Sequence, residues 1–173
     1  MWSAEALAER LPKESGRRSV ELIVVLSLCG LGISLYLGLF QIKLLGSVWD
    51  PAFGSASSAH VLRSTFSRSL PFPDSFAGAA AYFMEVALGA VVIARRQWTE
   101  LIVAPLLGLL ALAMALGSLM LVCVQAFWVH HFCLLCLGSA GISFLNAGLA
   151  RREEFRAAAD GVRIYRLVAH GSN

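Results

Sequence analysis

The sequence predicts an all-α integral membrane protein, a four-transmembrane-helix bundle with an external loop and short helix between helices 1 and 2. Its 173 residues are 58% hydrophobic and only 14% charged, whereas soluble domains are typically about 45–50% apolar and about 25% charged. The mean hydropathy of +0.72 agrees with this class. Four apolar segments are long enough to cross a bilayer, which requires about 20 apolar residues of helix.

The four spans are predicted at residues 20–42, 76–94, 101–129 and 132–149. The second and fourth are rich in Gly, Ala and Ser, which allow helix backbones to approach closely in lipid. The third is the longest, so we expect it to tilt or to protrude. The spacer between the third and fourth spans is very short and predicts a tight antiparallel hairpin. Apolar residues in the long first loop suggest a short helix at 57–68.

The distribution of basic residues predicts the orientation of the spans. Lys and Arg flank the N-terminal side, the loop between spans two and three, and the C-terminal side, whereas the turn between spans three and four has none. Both termini are therefore expected in the cytoplasm. The expected organisation is a cytoplasmic segment at 1–19, a transmembrane domain at 20–150 and a cytoplasmic tail at 151–173. The first segment carries mixed charges and does not resemble a signal peptide.

A C-x-x-C pair, Cys133 and Cys136, lies in the stretch "HHFCLLCLGSA" at 130–140. With the orientation above, it faces the outer, oxidising side of the membrane, where dithiols work as disulfides or redox centres. Cys133 would lie in the first turn of the fourth helix, where the helix dipole favours a thiolate. We expect Cys133 to meet partners and Cys136, one turn deeper, to face the bundle. A lipid-soluble acceptor such as a quinone can arrive there.

Two other interpretations of these cysteines remain open. Both could be small residues that pack the helix. Alternatively, they could bind a metal or haem with the adjacent His130 and His131. Four neighbouring ligands on one turn rarely form a closed tetrahedral zinc site, and no C-x-x-C-H haem motif is present. No metal is therefore expected. Cys123 should lie at a depth similar to that of Cys136.

Polar residues also occur inside the apolar spans. Glu85 lies in the middle of the second span, where an ionisable group is costly and by default functional. It could relay protons or be held neutral by a hydrogen bond. Gln125 and Asn146 are expected to form hydrogen bonds between helices. Cys29 is expected to be inert core.

These features resemble the vitamin K epoxide reductase (VKOR) family over about residues 20–150. The resemblance rests on the C-x-x-C, on "DSFAGAAAYF" at 74–83 and on "AHVLRS", which is similar to the family's Cys-Ser-x-Val loop segment. It implies that the C-x-x-C reduces a bound quinone such as ubiquinone or menaquinone. Cys136 would be the quinone-proximal thiol and Cys133 the exchanging one. By the same resemblance, the cofactor-binding residues are Asp74, Gly78, Tyr82 and Cys136.

The first loop departs from the family pattern. In that pattern a loop cysteine pair re-reduces the C-x-x-C with electrons from a thioredoxin-like partner. Here the loop contains no cysteine; Trp49, beside Asp50, and Ser58 stand near the two cysteine positions. Ala140 stands where the family has a Tyr.

Two hypotheses about function follow. In the first, the chain is a quinone-linked thiol oxidoreductase of a bacterial-type inner membrane, with Cys133 and Cys136 as catalytic residues. A thioredoxin-like periplasmic partner would then attack Cys133 directly. In the alternative, it is a non-catalytic quinone-binding or assembly protein. The formal charge of +3 is too small to suggest a nucleic-acid partner.

The spacing of these residues predicts a quinone-sized cavity between the outer halves of the helices. Gly78 and Tyr82 follow Asp74 at i+4 and i+8 on one helix face. Cys136 would line the floor, and apolar loop residues would form the roof, as in typical ligand pockets. Alternatively, the core is filled and Tyr82 bonds a backbone carbonyl. The two sulfurs should lie within bonding distance of each other. The expected roof residues are Phe53, Val61 and Leu62.

Overall fold

The structure is a computed structural model that describes residues 4–63, 73–94 and 103–170, with side chains at 17–63, 73–94, 103 and 105–152. Every regular element in these ranges is a helix, which confirms the predicted all-α class. The elements are α1 (Ala4–Gln41), α2 (Ser55–Leu62), α3 (Asp74–Ala94), α4 (Val103–Val124) with a π-helical turn (Gln125–Val129), and α5 (Leu134–His170).

Four of the described helices are long and apolar enough to cross a membrane. The candidate spans are Arg17–Gln41, Asp74–Ala94, Pro105–Val129 and Leu134–Arg152. Large apolar side chains such as Leu109, Leu116 and Phe83 are more than half exposed on the bundle surface. Surfaces of this kind suit lipid rather than water. The chain is therefore a multi-pass integral membrane protein.

The helices differ in length from the predicted spans. α1 begins at Ala4 and α5 continues to His170, so each is about 56 Å long at 1.5 Å per residue. Both extend into polar sequence that contains good helix formers, which a hydropathy argument does not detect. α2 begins two residues before the predicted helix. The rest of that predicted helix, 64–68, lies outside the described residues.

Two left-handed residues turn the chain at the end of the bundle that carries α2, called the loop end below. Lys43 (φ 64°) follows α1, where the N–H of Leu44 donates to the Leu39 carbonyl at 3.0 Å. This arrangement satisfies helix carbonyls that would otherwise lack partners. His130 (φ 54°) ends the π-helical turn and directs the chain into α5. The predicted short hairpin between the third and fourth spans is confirmed.

Two buried apolar clusters close the bundle at opposite ends. One lies at the loop end and includes residues of α1, α2 and the loop as well as one cysteine of the C-x-x-C. The other, called the inner plug below, lies toward the end where α1 and α5 extend. The loop-end cluster contains Leu37, Phe40, Val48, Val61, Leu62 and Cys133. The inner plug contains Ile23, Leu107, Ala111 and Ala150.

Close packing of α1 against α3 depends on Gly30. A Cβ atom there would lie 2.5 Å from Cζ of Tyr82, whereas one at Gly32 would meet nothing within 4 Å. We expect Gly30→Ala to lower the free energy of unfolding by about 1–3 kcal/mol, because overpacking forces a shift of the buried ring. Gly32→Ala should be neutral or up to about 1 kcal/mol stabilising, since Ala favours helix. Thermal unfolding in detergent tests this; equal midpoints for the two variants would contradict it.

Candidate functional site

The loop after α1 is fastened to the start of α5 by Asp50. Its Oδ2 accepts hydrogen bonds from the Leu134 N–H at 2.9 Å and from the Ser58 hydroxyl at 2.5 Å. Its Oδ1 accepts the N–H groups of Ala52 and Phe53 at 3.0 and 2.9 Å. Because Leu134 is the first residue of α5, the carboxylate lies at the positive end of that helix dipole. Loop, α2 and α5 are thereby held together; this set of contacts is called the Asp50 clamp below.

The clamp favours the charged form of Asp50. Burial of the carboxyl opposes ionisation, but the hydrogen bonds from Phe53, Ser58, Leu134 and Ala52 outweigh it, so the pKa of Asp50 lies below its usual value of 3.8. A lowered pKa stabilises the fold at pH values above 3.8, and this stabilisation is lost as the pH falls through the folded-state pKa. The clamp is therefore fully formed at neutral pH.

Cys133 immediately precedes α5 and occupies the position of a helix N-cap. Its Sγ accepts the N–H of Cys136 at 3.3 Å, and its own N–H donates to Oε1 of Gln125 at 3.2 Å. Gln125 begins the π-helical turn of α4, an irregularity often found at functional sites. The sulfur is thus fixed by both helices of the hairpin.

The surroundings of the Cys133 thiol lower its pKa and favour the thiolate. A hydrogen bond from the Cys136 thiol is the largest cause that lowers the pKa of Cys133, and burial opposes it. With smaller contributions from the Ser58 hydroxyl and the N–H groups of Cys136 and Leu135, the pKa of Cys133 is about 7. A substantial fraction is therefore thiolate, the attacking species of disulfide exchange, at neutral pH. The two thiols are in hydrogen-bonding contact, and both cysteines are free thiols.

The sequence predicts that Cys133 is accessible to partner proteins, but in the structure it is covered. It is 0% exposed, because the loop and α2 cover it. The Ser57 hydroxyl donates to the Phe132 carbonyl at 2.8 Å, and the rings of Phe53 and Phe132 lie 5.6 Å apart. Cys136 is the less buried of the two. The prediction of an accessible outer cysteine is therefore wrong for this arrangement of the loop.

A cavity of about 80 Å³ lies beside Cys136 at the loop end. Asp74 and Gly78 line it as predicted, and Val61 and Leu62 contribute as predicted roof residues. It is smaller than the roughly 300–1,000 Å³ typical of ligand pockets, so the prediction of a quinone-sized cavity is wrong for this arrangement of the lining side chains. The other lining residues are Ser34, Leu37, Ser75, Ser118, Leu121, Val124, Gln125, Val129, Ser139 and Ala140.

Tyr82 and Phe53 do not line this cavity, contrary to prediction. The Tyr82 hydroxyl donates to the Ser139 carbonyl at 2.7 Å and lies 2.8 Å from Oγ of Ser143. Gly30 leaves room for the ring against α1, so the side chain crosses from α3 to α5 below the cavity. Tyr82 therefore bonds a backbone carbonyl, as in the filled-core alternative, although the core beside Cys136 is not filled. Phe53 packs on Phe132 instead.

Asp74 is held in place at the cavity wall. Nε2 of Gln41 donates to its Oδ1 at 2.5 Å, and the Ser75 N–H donates to the same oxygen at 2.9 Å. Gln41 is the last residue of α1 and Asp74 the first of α3. The amide thus joins the two helix ends. Gln41 was not among the predicted site residues, although an amide at the end of an apolar span is a visible signal in the sequence.

The remaining candidate residues lie apart from this site. Cys29 and Cys123 are exposed on the helix surfaces, and neither lines the cavity. The ring of His131 stacks on His60 with centroids 4.9 Å apart. Within the described ranges, no group of three or more His, Cys, Asp or Glu residues is arranged to hold a metal ion.

Comparison with known families agrees with this geometry. The model of the vitamin K epoxide reductase family matches residues 21–150. The chain belongs to the vitamin K epoxide reductase family. Membership suggests membrane thiol oxidoreductase activity, and the family is generally associated with quinones. A comparison with curated proteins finds no match.

The Asp50 clamp lies where the VKOR resemblance places the loop cysteines. Ser58 stands near the second cysteine position and Asp50 beside the first. In this VKOR chain the two side chains are hydrogen-bonded to each other at 2.5 Å. The Ser58 hydroxyl also lies within hydrogen-bonding reach of the Cys133 sulfur. A polar contact without thiols thus lies beside Cys133.

Removal of the Ser58 hydroxyl should shift the titration of Cys133. The hydroxyl donates its one hydrogen to Asp50 and also lies within reach of the Cys133 sulfur, where it favours the thiolate. Ser58→Ala leaves both acceptors without this donor, so we expect it to raise the Cys133 pKa above about 7 by roughly one unit, which corresponds to about 1.4 kcal/mol. Thiolate ultraviolet absorbance against pH, in a Cys29→Ser/Cys123→Ser background, measures the shift. Ser57→Ala is the matched control because Ser57 bonds the Phe132 carbonyl. An unchanged or lower midpoint in Ser58→Ala would contradict the assigned contact.

Proposed function

We propose that this protein couples oxidation of the Cys133–Cys136 dithiol to reduction of a quinone bound in the cavity. The observation that carries the proposal is the position of Cys136. This residue lines a cavity shared by all four spanning helices and hydrogen-bonds a neighbouring thiol whose pKa is about 7. One sulfur therefore lies at the entry for a lipid-soluble acceptor, and the other is suited to disulfide exchange.

In the proposed reaction, the two sulfurs lose two electrons and form a disulfide, and the quinone gains two electrons and two protons to become a quinol. The cavity supplies the binding groups. Asp74 accepts a hydrogen bond from a quinol hydroxyl, and Gly78 leaves space for a flat ring. The apolar side chains of Leu62 and Leu121, the latter 37% exposed, move to admit the ring. No metal ion is required.

Electrons enter this cycle from another protein. Because residues 42–73 contain no cysteine, the chain has no loop thiol of its own to reduce the disulfide. A thioredoxin-like partner attacks Cys133 after the loop and α2 lift from it. By the basic-residue asymmetry, this exchange takes place on the outer side of a bacterial-type inner membrane.

Filling the cavity from Gly78 tests the proposal. A Cβ at Gly78 would meet only Ser34 at its edge, at 3.4 Å from Oγ, so a leucine there extends into the space for the ring. We expect Gly78→Leu to raise the Kd of a short-chain ubiquinone at least about tenfold, equivalent to about 1.4 kcal/mol. Gly117→Leu is the control, since Gly117 is exposed on α4 and a Cβ there meets nothing within 4 Å. Equal affinities for both variants would contradict the quinone site.

The Asp50 clamp favours a second candidate, a quinone-binding or assembly protein without thiol turnover. A hydrogen bond at the place of the loop thiols holds Cys133 covered. If this candidate is correct, Gly78→Leu should still weaken quinone binding. No disulfide should form between Cys133 and Cys136 when quinone is added to the reduced protein. The chemical state of the two sulfurs therefore separates the candidates.

A further inference from the structure

A buried polar cluster lies in the middle of the membrane-spanning region, below the cavity. Glu85 is 0% exposed, and its Oε2 accepts the Ser27 hydroxyl at 2.7 Å and the Asn146 amide at 2.8 Å. Asn146 also donates to Ser27 at 2.9 Å. No described side chain of this cluster carries a positive charge. An unpaired buried carboxylate is very costly, so Glu85 is a neutral carboxylic acid that holds a proton.

Hydroxyl groups connect this region with the cavity. Ser139 lines the cavity, and its Oγ lies 3.2 Å from the Tyr82 hydroxyl. That hydroxyl lies 2.8 Å from Oγ of Ser143. Along α5, Cys136, Ser139, Ser143 and Asn146 follow at spacings of three and four residues, so they form one helix face. A polar stripe therefore descends from Cys136 toward the Glu85 cluster.

One helical turn separates the hydroxyl chain from the carboxyl group. Tyr82 and Glu85 are three residues apart on α3, which is a rise of about 4.5 Å. Oε1 of Glu85 and Oδ1 of Asn146 are buried and have no hydrogen-bond partner in the structure. The last side-chain torsion of Glu85 has broad preferences, so the carboxyl group can rotate within the cluster.

The opposite side of the cluster is closed by apolar packing. The inner plug of Ile23, Leu107, Ala111 and Ala150 is buried between the cluster and the extended ends of α1 and α5. The Val24 side chain packs against Gly89, one turn below Glu85. Among the described residues, hydroxyl groups therefore lead from the Glu85 cluster toward the cavity, whereas apolar residues lie toward the inner end of the bundle.

We propose that Glu85 is the proton donor for quinone reduction and that Ser143, Tyr82 and Ser139 carry its proton to the cavity. This inference rests on the function proposed above. It adds a proton-donating site, the Glu85 cluster, that takes no part in electron transfer between the cysteines and the quinone. Glu85 acts through the hydroxyl chain and is therefore a positioning and proton-supplying residue rather than one that contacts the quinone.

The balance of protons in the cycle requires such a donor. When Cys133 is a thiolate, the pair gives up two electrons but only the proton of Cys136, whereas the quinone takes up two protons. Glu85 supplies the second proton and becomes a carboxylate, which its hydrogen bonds from Ser27 and Asn146 stabilise transiently. When a partner dithiol then reduces the Cys133–Cys136 disulfide, it releases two protons. One stays on Cys136 and the other returns to Glu85.

The pH dependence of this exchange follows from Cys133. At pH values below the Cys133 pKa of about 7, Cys133 carries its own proton, so the two thiols supply both protons that the quinone takes up. At pH values above it, the thiols supply only one, and Glu85 is needed for the second. Besides Cys133, the carboxyl groups of Asp74 and Asp50 act electrostatically on Cys136. Tyr82 is the titratable group near Glu85. Neither carboxyl group lies on the hydroxyl chain.

Single-turnover quinone reduction by the reduced full-length protein tests this role. The rate is measured one pH unit below and one pH unit above the Cys133 pKa of about 7. We expect Glu85→Gln, which preserves the acceptor for Ser27 and Asn146, to be within about twofold of wild type at the lower pH. At the higher pH it should be about tenfold slower, because only about a tenth of Cys133 still carries its own proton one unit above its pKa. Tyr82→Phe, which interrupts the chain, should show the same profile, and Cys123→Ser should match wild type.

The results distinguish a failure of the proton-donor role of Glu85 from a failure of the proposed quinone reduction. An equal loss of rate at both pH values in Glu85→Gln indicates a structural role and overturns the inference, as does a wild-type profile. In infrared difference spectra at the higher pH, quinone reduction should remove a protonated-carboxyl band in wild type, and this change should be absent in Glu85→Gln. A wild-type protein that reduces no quinone at either pH overturns the proposed function itself.

Discussion

Replacement of either cysteine of the pair by serine is expected to abolish quinone reduction. Cys133→Ser keeps an N-cap for α5 but cannot form the disulfide, and Cys136→Ser removes the sulfur beside the cavity. Because the two thiols act as a unit, each single variant should lose activity by more than about three orders of magnitude. The loss of quinone absorbance, with dithiothreitol as electron donor and protein in lipid vesicles, measures the effect.

The other two cysteines of the chain provide matched controls for this result. Cys29 and Cys123 are exposed on the helix surfaces and do not line the cavity. Cys29→Ser and Cys123→Ser should therefore retain wild-type rates. Substantial quinone reduction by Cys136→Ser, or its loss in Cys123→Ser, would show that the reacting thiols have been misassigned.

A loop cysteine pair should restore an internal electron path when it replaces the Asp50 clamp. The side chains of Asp50 and Ser58 meet at 2.5 Å, so the double substitution Asp50→Cys/Ser58→Cys should form a disulfide. The new thiol at position 58 would face Cys133, as the Ser58 hydroxyl does. We expect turnover with a protein dithiol donor to rise at least about tenfold, since intramolecular exchange replaces attack on a covered sulfur.

Mass spectrometry of peptides identifies the disulfides in this double variant. In a Cys136→Ser background, the new thiol at position 58 should be trapped on Cys133 as a mixed disulfide. Asp50→Ala alone is the control: it should lower the free energy of unfolding by about 2–3 kcal/mol, because hydrogen bonds to a charged group are lost. Failure of position 58 to be trapped on Cys133 would contradict the observed proximity of the loop and the C-x-x-C, and failure of positions 50 and 58 to form a disulfide would contradict that of Asp50 and Ser58.

Hydropathy predicted the fold because lipid imposes a simple length requirement on apolar helices. The same criterion missed the true ends of α1 and α5, since these helices continue through polar residues to Ala4 and His170. The turn before α5 also required the structure. A left-handed His130 and a π-helical turn at Gln125 leave no clear signal in the sequence.

The candidate site was predicted where helix periodicity determines it. Cys136, Asp74 and Gly78 line the cavity because their spacing places them at one end of two helices. Tyr82 was misplaced because its orientation depends on Gly30 of another helix and on a carbonyl of α5. The partners of Asp50 and Gln125 lie far along the chain, so one-dimensional spacing could not reveal them.

The most direct test of whether the Cys133–Cys136 dithiol reduces a quinone is an anaerobic single turnover of the reduced protein with a short-chain quinone. Quinol is quantified by absorbance, and the cysteines are identified by differential alkylation and mass spectrometry. We expect one quinol to form for each Cys133–Cys136 disulfide, while Cys29 and Cys123 remain thiols. Quinone that binds and stays oxidised, with Cys133 and Cys136 still alkylated as free thiols, would contradict it.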